Sequence, residues 1–382
     1  MNRDKTKEHI VIFRTPVSVL NITGYNCQEL GLAKALTRKG YRVSVVLAGT
    51  TRREEVFALP EGDIHVYFLP FVRINQQLGV MFGYRALLSE LAPTILQIHD
   101  FGIYMSYAAA KWARRHHVPC FLIQGTYEPT RKTGLHQLEV FYNKSFGRRL
   151  LGMIAGAGHK TEMAARYLAL YSQIASKPTY IGLDASYFDA PRDRDWRGEL
   201  SLDGRKVLLY VGKLEERRNP LFLLEVLEGL PEDYCLILVG DGPQSGQVKD
   251  TIRQKHLASR CLMVGRLNQE ELPSLYEVSD LFLLASNYEI YGMVILEAMY
   301  FGVPVISTST AGSETIISSG KDGIIIPELN PEKWRLRIRA LMDDSAALKD
   351  MEHQAGKKIR ESLLWDVAVN RFLALYYGND EE

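Results

Sequence analysis

The sequence has few cysteines and no long apolar run, and each of these shortages excludes a class of protein. The four cysteines, Cys27, Cys120, Cys235 and Cys261, stand alone with no paired spacing, which argues against a zinc knuckle and a disulfide framework. The N-terminus is hydrophilic, and no apolar run approaches the length needed to cross a bilayer. We therefore expect a cytoplasmic protein that is neither secreted nor a membrane span.

Charge is unevenly divided along the chain, although the net charge is only +1. Residues 1–183 contain 23 Lys and Arg against 12 Asp and Glu, whereas the remainder contains 23 against 33. A basic first half suits an anionic partner such as a membrane surface. Attraction between two oppositely charged domains across a cleft explains the same pattern equally well.

Length and patterning favour two α/β domains. A chain of 382 residues with 46% apolar residues can bury two cores. In the first half, short apolar runs such as 10–13, 42–47 and 94–98 alternate with amphipathic segments, the pattern of parallel strands with crossover helices. The charged, proline-containing segment 189–196 has the composition of a linker.

The stretch 285–308 predicts a strand end, a loop, a helix and a further strand, with few charges. Between Ile290 and Thr308 the one charged side chain is Glu297, inside an otherwise apolar helix that begins near Gly292. A buried carboxylate needs hydrogen-bond donors, and a glycine before a helix N-terminus suits an anion such as a diphosphate. The alternative is a structural glutamate that caps a backbone group or pairs with a core arginine.

Glu289 and Glu297 have a spacing that resembles the Glu-x7-Glu signature of glycosyltransferase family 4, retaining enzymes of the glycosyltransferase B fold. Ile290 and Tyr291 replace the family's usual Gly and Phe. The resemblance implies two Rossmann-like domains with an interdomain cleft and a C-terminal helix that crosses back to the first domain. It divides this chain into an acceptor-binding domain at 1–183 with helix 366–382, and a nucleotide-sugar-binding domain at 184–365.

One further motif carries the resemblance. Gly212-Lys-Leu-Glu-Glu-Arg-Arg218 resembles the family's Gly-Arg-Leu-x-x-x-Lys-Gly loop, with the two cations exchanged in type. By this resemblance Lys213 and Arg218 stabilise the departing diphosphate, while Glu289 and His99 hold the sugar. The other donor-binding positions implied are Gly212, Arg266, Leu267, Tyr291, Gly292, Met293 and Glu297. The acceptor side is expected at Gly24, Tyr25 and Thr126.

The reaction implied by the resemblance is retaining transfer of a hexose from a UDP-sugar, UDP-glucose first, in polysaccharide biosynthesis. The acceptor is a lipid-linked or soluble oligosaccharide. No metal, other cofactor or nucleic acid is expected to take part, and Asp193-x-Asp195 is interpreted as linker rather than as a metal motif. The alternatives are a UDP-sugar epimerase and a non-catalytic nucleotide-sugar-binding partner subunit, since Lys213, Ile290 and Thr310 depart from the family pattern.

A helix predicted at about 135–151 combines apolar and basic side chains. This pattern suits peripheral contact with the inner face of an anionic membrane, and a core-facing helix with a solvated edge has the same pattern. The apolar residues expected on or near one face are Leu138, Phe141, Tyr142, Phe146 and Leu150, and the flanking basic residues are Lys144, Arg148 and Arg149.

Overall fold

The protein forms two compact units in a computed structural model that describes residues 5–14, 27–74, 78–128, 135–188 and 194–378. The first unit combines Met1–Gly182 with Trp365–Glu382, and the second is Leu183–Leu364. Both crossings between the units therefore lie one residue earlier than the sequence predicted.

The first unit is built on a mostly parallel sheet whose central strands are apolar and buried on both faces, as parallel sheets covered by helices require. The strand order is β3-β4-β2-β1-β6-β7-β8-β9, and β5 pairs with β4. The strands are β1 His9–Phe13, β2 Arg42–Gly49, β3 Arg53–Phe57, β4 Ile64–Arg73, β5 Gly79–Met81, β6 Ile95–His99, β7 Cys120–Gln124, β8 Gly156–His159 and β9 Ser176–Pro178. The helices are α1 Gln28–Arg38, α2 Tyr84–Leu91, α3 Tyr104–Arg115, α4 Leu135–Tyr142, α5 Arg148–Leu151 and α6 Glu162–Ala169.

The second unit is a six-stranded parallel sheet in the order β12-β11-β10-β13-β14-β15. Its strands are β10 Lys206–Val211, β11 Tyr234–Val239, β12 Cys261–Gly265, β13 Leu281–Leu284, β14 Val305–Ser307 and β15 Gly323–Ile325. Its helices are α7 Trp196–Glu199, α8 Pro220–Glu228, α9 Ser245–Gln254, α10 Leu272–Glu277, α11 Met293–Tyr300, α12 Ala311–Ile316, α13 Pro331–Asp343 and α14 Ser345–Lys358. The order reverses direction at β10, and loops at such a switch point can receive a ligand.

The last helix, α15 Trp365–Tyr377, returns to the first unit and packs against α1, β8 and β9. Its Tyr376 hydroxyl donates a hydrogen bond to the Gln97 side chain on β6. Alternate residues of β6 therefore face different layers: Gln97 faces α15, whereas Leu96 and Ile98 pack with α2 and α3 in the core. The predicted return of the C-terminal helix is confirmed.

The predicted helix 135–151 is not one regular amphipathic helix. A π-helical turn, Asn143–Gly147, separates α4 from α5. Phe141 is 69% exposed whereas Leu150 is fully buried, so the prediction that both lie on one apolar face is wrong. The wider turn rotates the helix surface between the two segments. Among the described residues, no helix is both long and apolar enough to cross a membrane.

Candidate active site

Three glycine-containing loops of the second unit meet at the carboxyl edge of its sheet. The Gly212 amide donates to the Val239 carbonyl at 2.9 Å, and the Gly240 amide donates to the Gly265 carbonyl at 2.7 Å. A side chain on Gly240 would place its Cβ 1.9 Å from the Gly212 oxygen. Gly240 is therefore required for the close approach of the loops that follow β10 and β11.

The loop after β10 carries the predicted cation pair in two different environments. Arg218 is mostly buried and forms an ion pair with Glu289, and its Nη1 lies 3.4 Å from the Ser286 hydroxyl. Lys213 has a side chain that is 58% exposed and pairs with Glu215 at 3.2 Å. The structure therefore brings Arg218 together with Glu289 and leaves the Lys213 ammonium near the solvent.

Glu289 is buried between two arginines. Besides Arg218, the Arg217 Nη1 lies 3.7 Å from its Oε1, and its side chain is only 8% exposed. Burial raises the pKa of Glu289 above its ordinary value, and the positive charges of Arg218 and Arg217 oppose that rise. Glu289 thus already pairs with the two arginines that an anionic ligand would contact.

The loop before α11 is held in one conformation by its backbone. Gly292 precedes the helix with φ of +85°, a left-handed conformation that favours glycine. Tyr291 is buried, and a Cβ on Gly312 would lie 1.9 Å from the Tyr291 carbonyl oxygen. No side chain caps the first turn of α11, which starts at Met293. The Ile295 amide donates to the Gly292 carbonyl at 2.9 Å, and the amides of Met293 and Val294 remain available to a phosphate.

Glu297 lies on α11 and is 1% exposed. Its two carboxylate oxygens accept hydrogen bonds from the Tyr276 hydroxyl at 3.0 Å and the Gln269 amide at 3.2 Å. Burial raises the pKa of Glu297, and these two hydrogen bonds oppose the rise. The carboxylate therefore has the hydrogen-bond donors that a buried position requires. They are a phenol hydroxyl and a side-chain amide rather than a core arginine or a backbone group.

Arg266 and Leu267 follow β12 on the loop that leads to Gln269, the partner of Glu297. Arg266 is exposed and Leu267 is half-buried. Gly265, which has φ of +75°, begins this loop. The predicted donor-binding loop is therefore connected to the predicted donor-binding carboxylate Glu297 by one side chain, that of Gln269.

His99 lies at the carboxyl end of β6 in the first unit and is buried. Gln97 accepts from Tyr376 through its oxygen, so its amide nitrogen donates to His99 Nε2 at 3.0 Å. This network assigns the imidazole proton to Nδ1, which has no protein partner among the described residues. Burial, together with the charges of Lys160 and Arg14, holds the pKa of His99 well below its ordinary value.

Around His99 lies a charged cluster that the sequence did not predict. Arg14, which follows β1, pairs with Glu29 on α1. Lys160, which follows β8, donates to the Gln28 side chain at 2.9 Å. Burial and the nearby Arg14 lower the pKa of Lys160 to about 8, although Asp100 and Glu29 oppose that shift. A cation directly after a buried strand was the signal that could have identified both positions.

Thr126 is tied to the loop after β6. Asp100 Oδ1 accepts from the amides of Gly125 and Thr126, each at 2.9 Å. The structure therefore brings the predicted acceptor residue Thr126 close to the residue after His99. Gly24 and Tyr25 lie outside the described residues.

In the described part of the chain, no group of three or more His, Cys, Asp or Glu side chains is placed to hold a metal ion. Asp195 caps α7 by accepting from the Gly198 amide at 3.1 Å, and Asp193 lies outside the described residues. The four cysteines are free and buried. Whether the reaction needs a metal stays a prediction.

Family models match most of the chain. The model described as glycosyl transferases group 1 matches residues 192–361, and the model described as glycosyl transferase 4-like domain matches residues 23–176. The chain is 26% identical over 226 residues to spore coat protein SA of Bacillus subtilis, covering 53% of this chain and 59% of that protein. It is 28% identical over 168 residues to alpha-D-kanosaminyltransferase of Streptomyces kanamyceticus, covering 43% and 44%. The chain thus spans about half the length of the curated relatives it matches.

Solved structures share the fold of the whole chain. A sucrose-phosphate synthase from Thermosynechococcus elongatus superposes with a TM-score of 0.75 at 16% identity, covering 97% of this chain and 98% of that chain. Anabaena HepE in complex with UDP and glucose superposes with a TM-score of 0.70 at 17% identity, covering 96% and 98%. The predicted family and fold class are confirmed. With both family models matching and this fold, the chain belongs to the group 1 glycosyl transferases, which are family-4-like and have the glycosyltransferase B fold.

Proposed function

We propose that the protein is a retaining hexosyltransferase that uses a UDP-sugar as its donor, with UDP-glucose as the leading candidate. The observation that carries this proposal is the buried Arg218–Glu289 ion pair beside the open first turn of α11. Cations and unpaired amides at one place suit a diphosphate, and a carboxylate suits sugar hydroxyls. The similarity in fold to a protein solved with UDP and glucose supports the same donor class.

In the proposed reaction, the bond between the anomeric carbon and the diphosphate oxygen breaks while an acceptor hydroxyl attacks. Arg218 and Lys213 stabilise the negative charge that grows on the departing diphosphate, a preorganised electrostatic effect. A phosphate oxygen takes the acceptor's proton. Glu289, relieved of part of its pairing with Arg218, accepts hydrogen bonds from the sugar hydroxyls.

The nucleoside is assigned to the pocket edge formed by Glu297 and the loop after Gly265. Each Glu297 oxygen accepts one hydrogen bond in the free protein and can accept a second, so the ribose hydroxyls need not displace Tyr276. Leu267 and Arg266 contact the base. Because the charge balance is supplied by protein cations, the proposal requires no metal ion or other cofactor.

The acceptor, a lipid-linked or soluble oligosaccharide, is assigned to the first unit, on the side of Thr126. His99, whose Nδ1 has no partner among the described residues, is assigned with Glu289 to the hydroxyls of the donor sugar. The excess of basic residues in this unit favours a lipid-linked acceptor and peripheral contact with the cytoplasmic membrane.

Thermal shift with nucleotides and nucleotide sugars, with and without EDTA, tests the donor. A ligand at 100 times its dissociation constant stabilises the folded protein by about 2.7 kcal/mol. We expect uridine ligands to raise the Tm in EDTA, and Arg218→Ala to abolish most of that rise. Lys255→Ala, which removes a cation that pairs with Glu228, is the matched control and should leave the shift intact.

Two outcomes would overturn the proposal. If uridine ligands raise the Tm but no UDP-sugar is turned over with any acceptor, the non-catalytic nucleotide-sugar-binding partner becomes the better assignment. If UDP-glucose is converted to a second UDP-sugar without any acceptor, the protein is an epimerase. Release of UDP that depends on an added oligosaccharide, with an α-linked product, is the result expected of a retaining transferase.

A further inference from the structure

An open cavity of about 300 Å³ lies in the first unit between α2 and α3, on the face of the sheet opposite α15. It is separate from the His99 cluster, because its lining comes from α2, α3 and His116, the residue after α3. Its principal lining residues are Tyr84, Arg85, Tyr107, Lys111, Trp112 and Arg115.

The cavity is lined by cations with no acidic partner. Arg85, Lys111 and Arg115 contribute to its wall, and no Asp or Glu does. In the described part of the chain, Lys111 and Arg115 make no ion pair or hydrogen bond, and Arg85 donates only to the Tyr84 hydroxyl at 3.1 Å. Like charges four residues apart on one helix repel each other, so Lys111 and Arg115 favour an anion between them.

The floor of the cavity is aromatic. Trp112 and Tyr84 are buried, and the exposed His116 ring stacks on Trp112 with ring centroids 4.4 Å apart. A phosphate at the cations would therefore have an apolar surface beside it. That combination suits a ligand with a phosphate attached to a less polar group.

Exposed aromatic side chains lie on two segments that adjoin the elements of the cavity wall. Phe82, two residues before α2, is 54% exposed, and Phe141 on α4 is 69% exposed. The α4–α5 segment contacts the cavity wall, because Phe146 packs edge-on against Tyr107 with centroids 5.3 Å apart. The Arg149 guanidinium lies 5.9 Å from the Phe146 ring centre. Exposed aromatics interleaved with cations are typical of a surface that sits at a membrane interface.

We propose that the α2–α3 cavity binds the phosphate of an anionic glycerophospholipid, and that this face of the first unit docks on the membrane. The proposal deepens the membrane contact of the proposed function and needs neither the donor assignment nor the acceptor. Charge complementarity selects the lipid phosphate, and the exposed Phe82 and Phe141 on the adjoining segments select a membrane over a phosphate in solution.

Co-sedimentation with phosphatidylcholine vesicles, with and without phosphatidylglycerol, tests this proposal. We expect binding only to the anionic vesicles. A cation near such a surface contributes about 5-fold to the affinity, so the double variant Lys111→Ala/Arg115→Ala should bind about 25-fold more weakly. The matched control is Lys39→Ala/Arg42→Ala, which removes the same charge from two exposed positions at the α1–β2 connection and should lose about 2-fold or less.

Each other result overturns the proposal. Equal losses in the two double variants would mean that only the overall positive charge attracts the vesicles. Binding that ignores phosphatidylglycerol, or binding of glycerol 3-phosphate without vesicle binding, would contradict a lipid headgroup site. The uridine-dependent rise in Tm, measured on the same variants, checks that they are folded. The same measurement also distinguishes a loss of lipid binding at the cavity from a loss of donor binding in the second unit.

Discussion

At the scale of single residues, folding brings together four charged side chains, Arg14, Glu29, Asp100 and Lys160. They are far apart in the sequence and lie together, buried or half-buried, beside His99. Desolvation acts against each buried charge, while opposite charges in the cluster compensate for part of it. In Lys160, burial and the neighbouring Arg14 lower the pKa to about 8.

Lys160 should make stability depend on pH in the alkaline range. Its pKa is about 8 in the folded protein against an ordinary value of 10.5, so the folded state loses this proton first. The unfolded chain then binds more protons between these two values, and the contribution of Lys160 to stability rises with pH there, by up to about 3 kcal/mol.

Urea unfolding of the wild type and Lys160→Met, below and above this pH window, measures the effect. The stability of the wild type relative to the variant should increase as the pH rises through the window. Lys39→Met, at an exposed position, should show no such change. Parallel pH profiles for all three proteins would contradict the assigned pKa.

Glu297→Gln separates donor binding from stability. An amide can keep the Tyr276 hydrogen bond in the same shape, while it removes a buried carboxylate that burial already disfavours. We expect stability to be unchanged or slightly higher. UDP should bind at least about 10-fold more weakly, because hydrogen bonds to charged groups contribute about 1.5–3 kcal/mol.

Calorimetric titration with UDP and urea unfolding provide the two readouts for Glu297→Gln. Tyr276→Phe serves as the control, since it removes one donor to the carboxylate and leaves the charge in place. Unchanged UDP affinity in Glu297→Gln would show that Glu297 is a structural residue of α11.

At the scale of the element, the entry into α11 depends on one backbone conformation. Gly292→Ala should reduce the free energy of unfolding by about 1–2 kcal/mol, because an L-residue is disfavoured at φ of +85°. The new Cβ would also lie 3.0 Å from Ile295 Cδ1. UDP affinity should fall as well, since the same turn presents the first amides of the helix.

Gly246→Ala on α9 is the matched control for that substitution. A Cβ there meets nothing within 4 Å, and alanine is favoured over glycine in a helix by up to about 1 kcal/mol. Chemical denaturation should therefore show opposite signs for the two variants. A loss of stability in both would indicate that the left-handed turn at Gly292 is not the cause.

At the scale of the whole molecule, the chain's last helix completes the first unit. Trp365 is 3% exposed and packs against Gly31 and Gly182, where an added Cβ would lie 2.1 Å and 2.7 Å from its atoms. Trp365→Ala should reduce the free energy of unfolding by about 3–5 kcal/mol. Val367→Ala on the same helix, at a position 37% exposed, should have a much smaller effect.

Urea unfolding measures this difference, and UDP affinity without denaturant distinguishes its origin. The UDP affinity of folded Trp365→Ala should match that of the wild type, because the proposed donor site lies in the second unit. Similar losses of stability in Trp365→Ala and Val367→Ala would contradict the role of α15 in the core of the first unit.

Sequence reasoning succeeded where a local pattern is sufficient. Buried parallel strands are continuous apolar runs, so β1, β2, β6 and the helix entry at Gly292 were predicted with nearly correct bounds. The prediction of one regular helix over 135–151 was wrong because no local pattern marks the π-helical turn at Asn143–Gly147. This turn changes the phase of the apolar positions.

By itself, the sequence determined the two α/β units and the family, because periodicity, glycine turns and motif spacing are local properties of the chain. The return of the C-terminal helix was implied by the resemblance to that family. Only the tertiary structure decided which side chains meet. Tyr376 reaches Gln97 across 279 positions, and Glu297 takes its donors from Gln269 and Tyr276 on other elements. Burial and the field of neighbouring charges set the pKa of Lys160, and both depend on three-dimensional proximity that no spacing along the chain encodes.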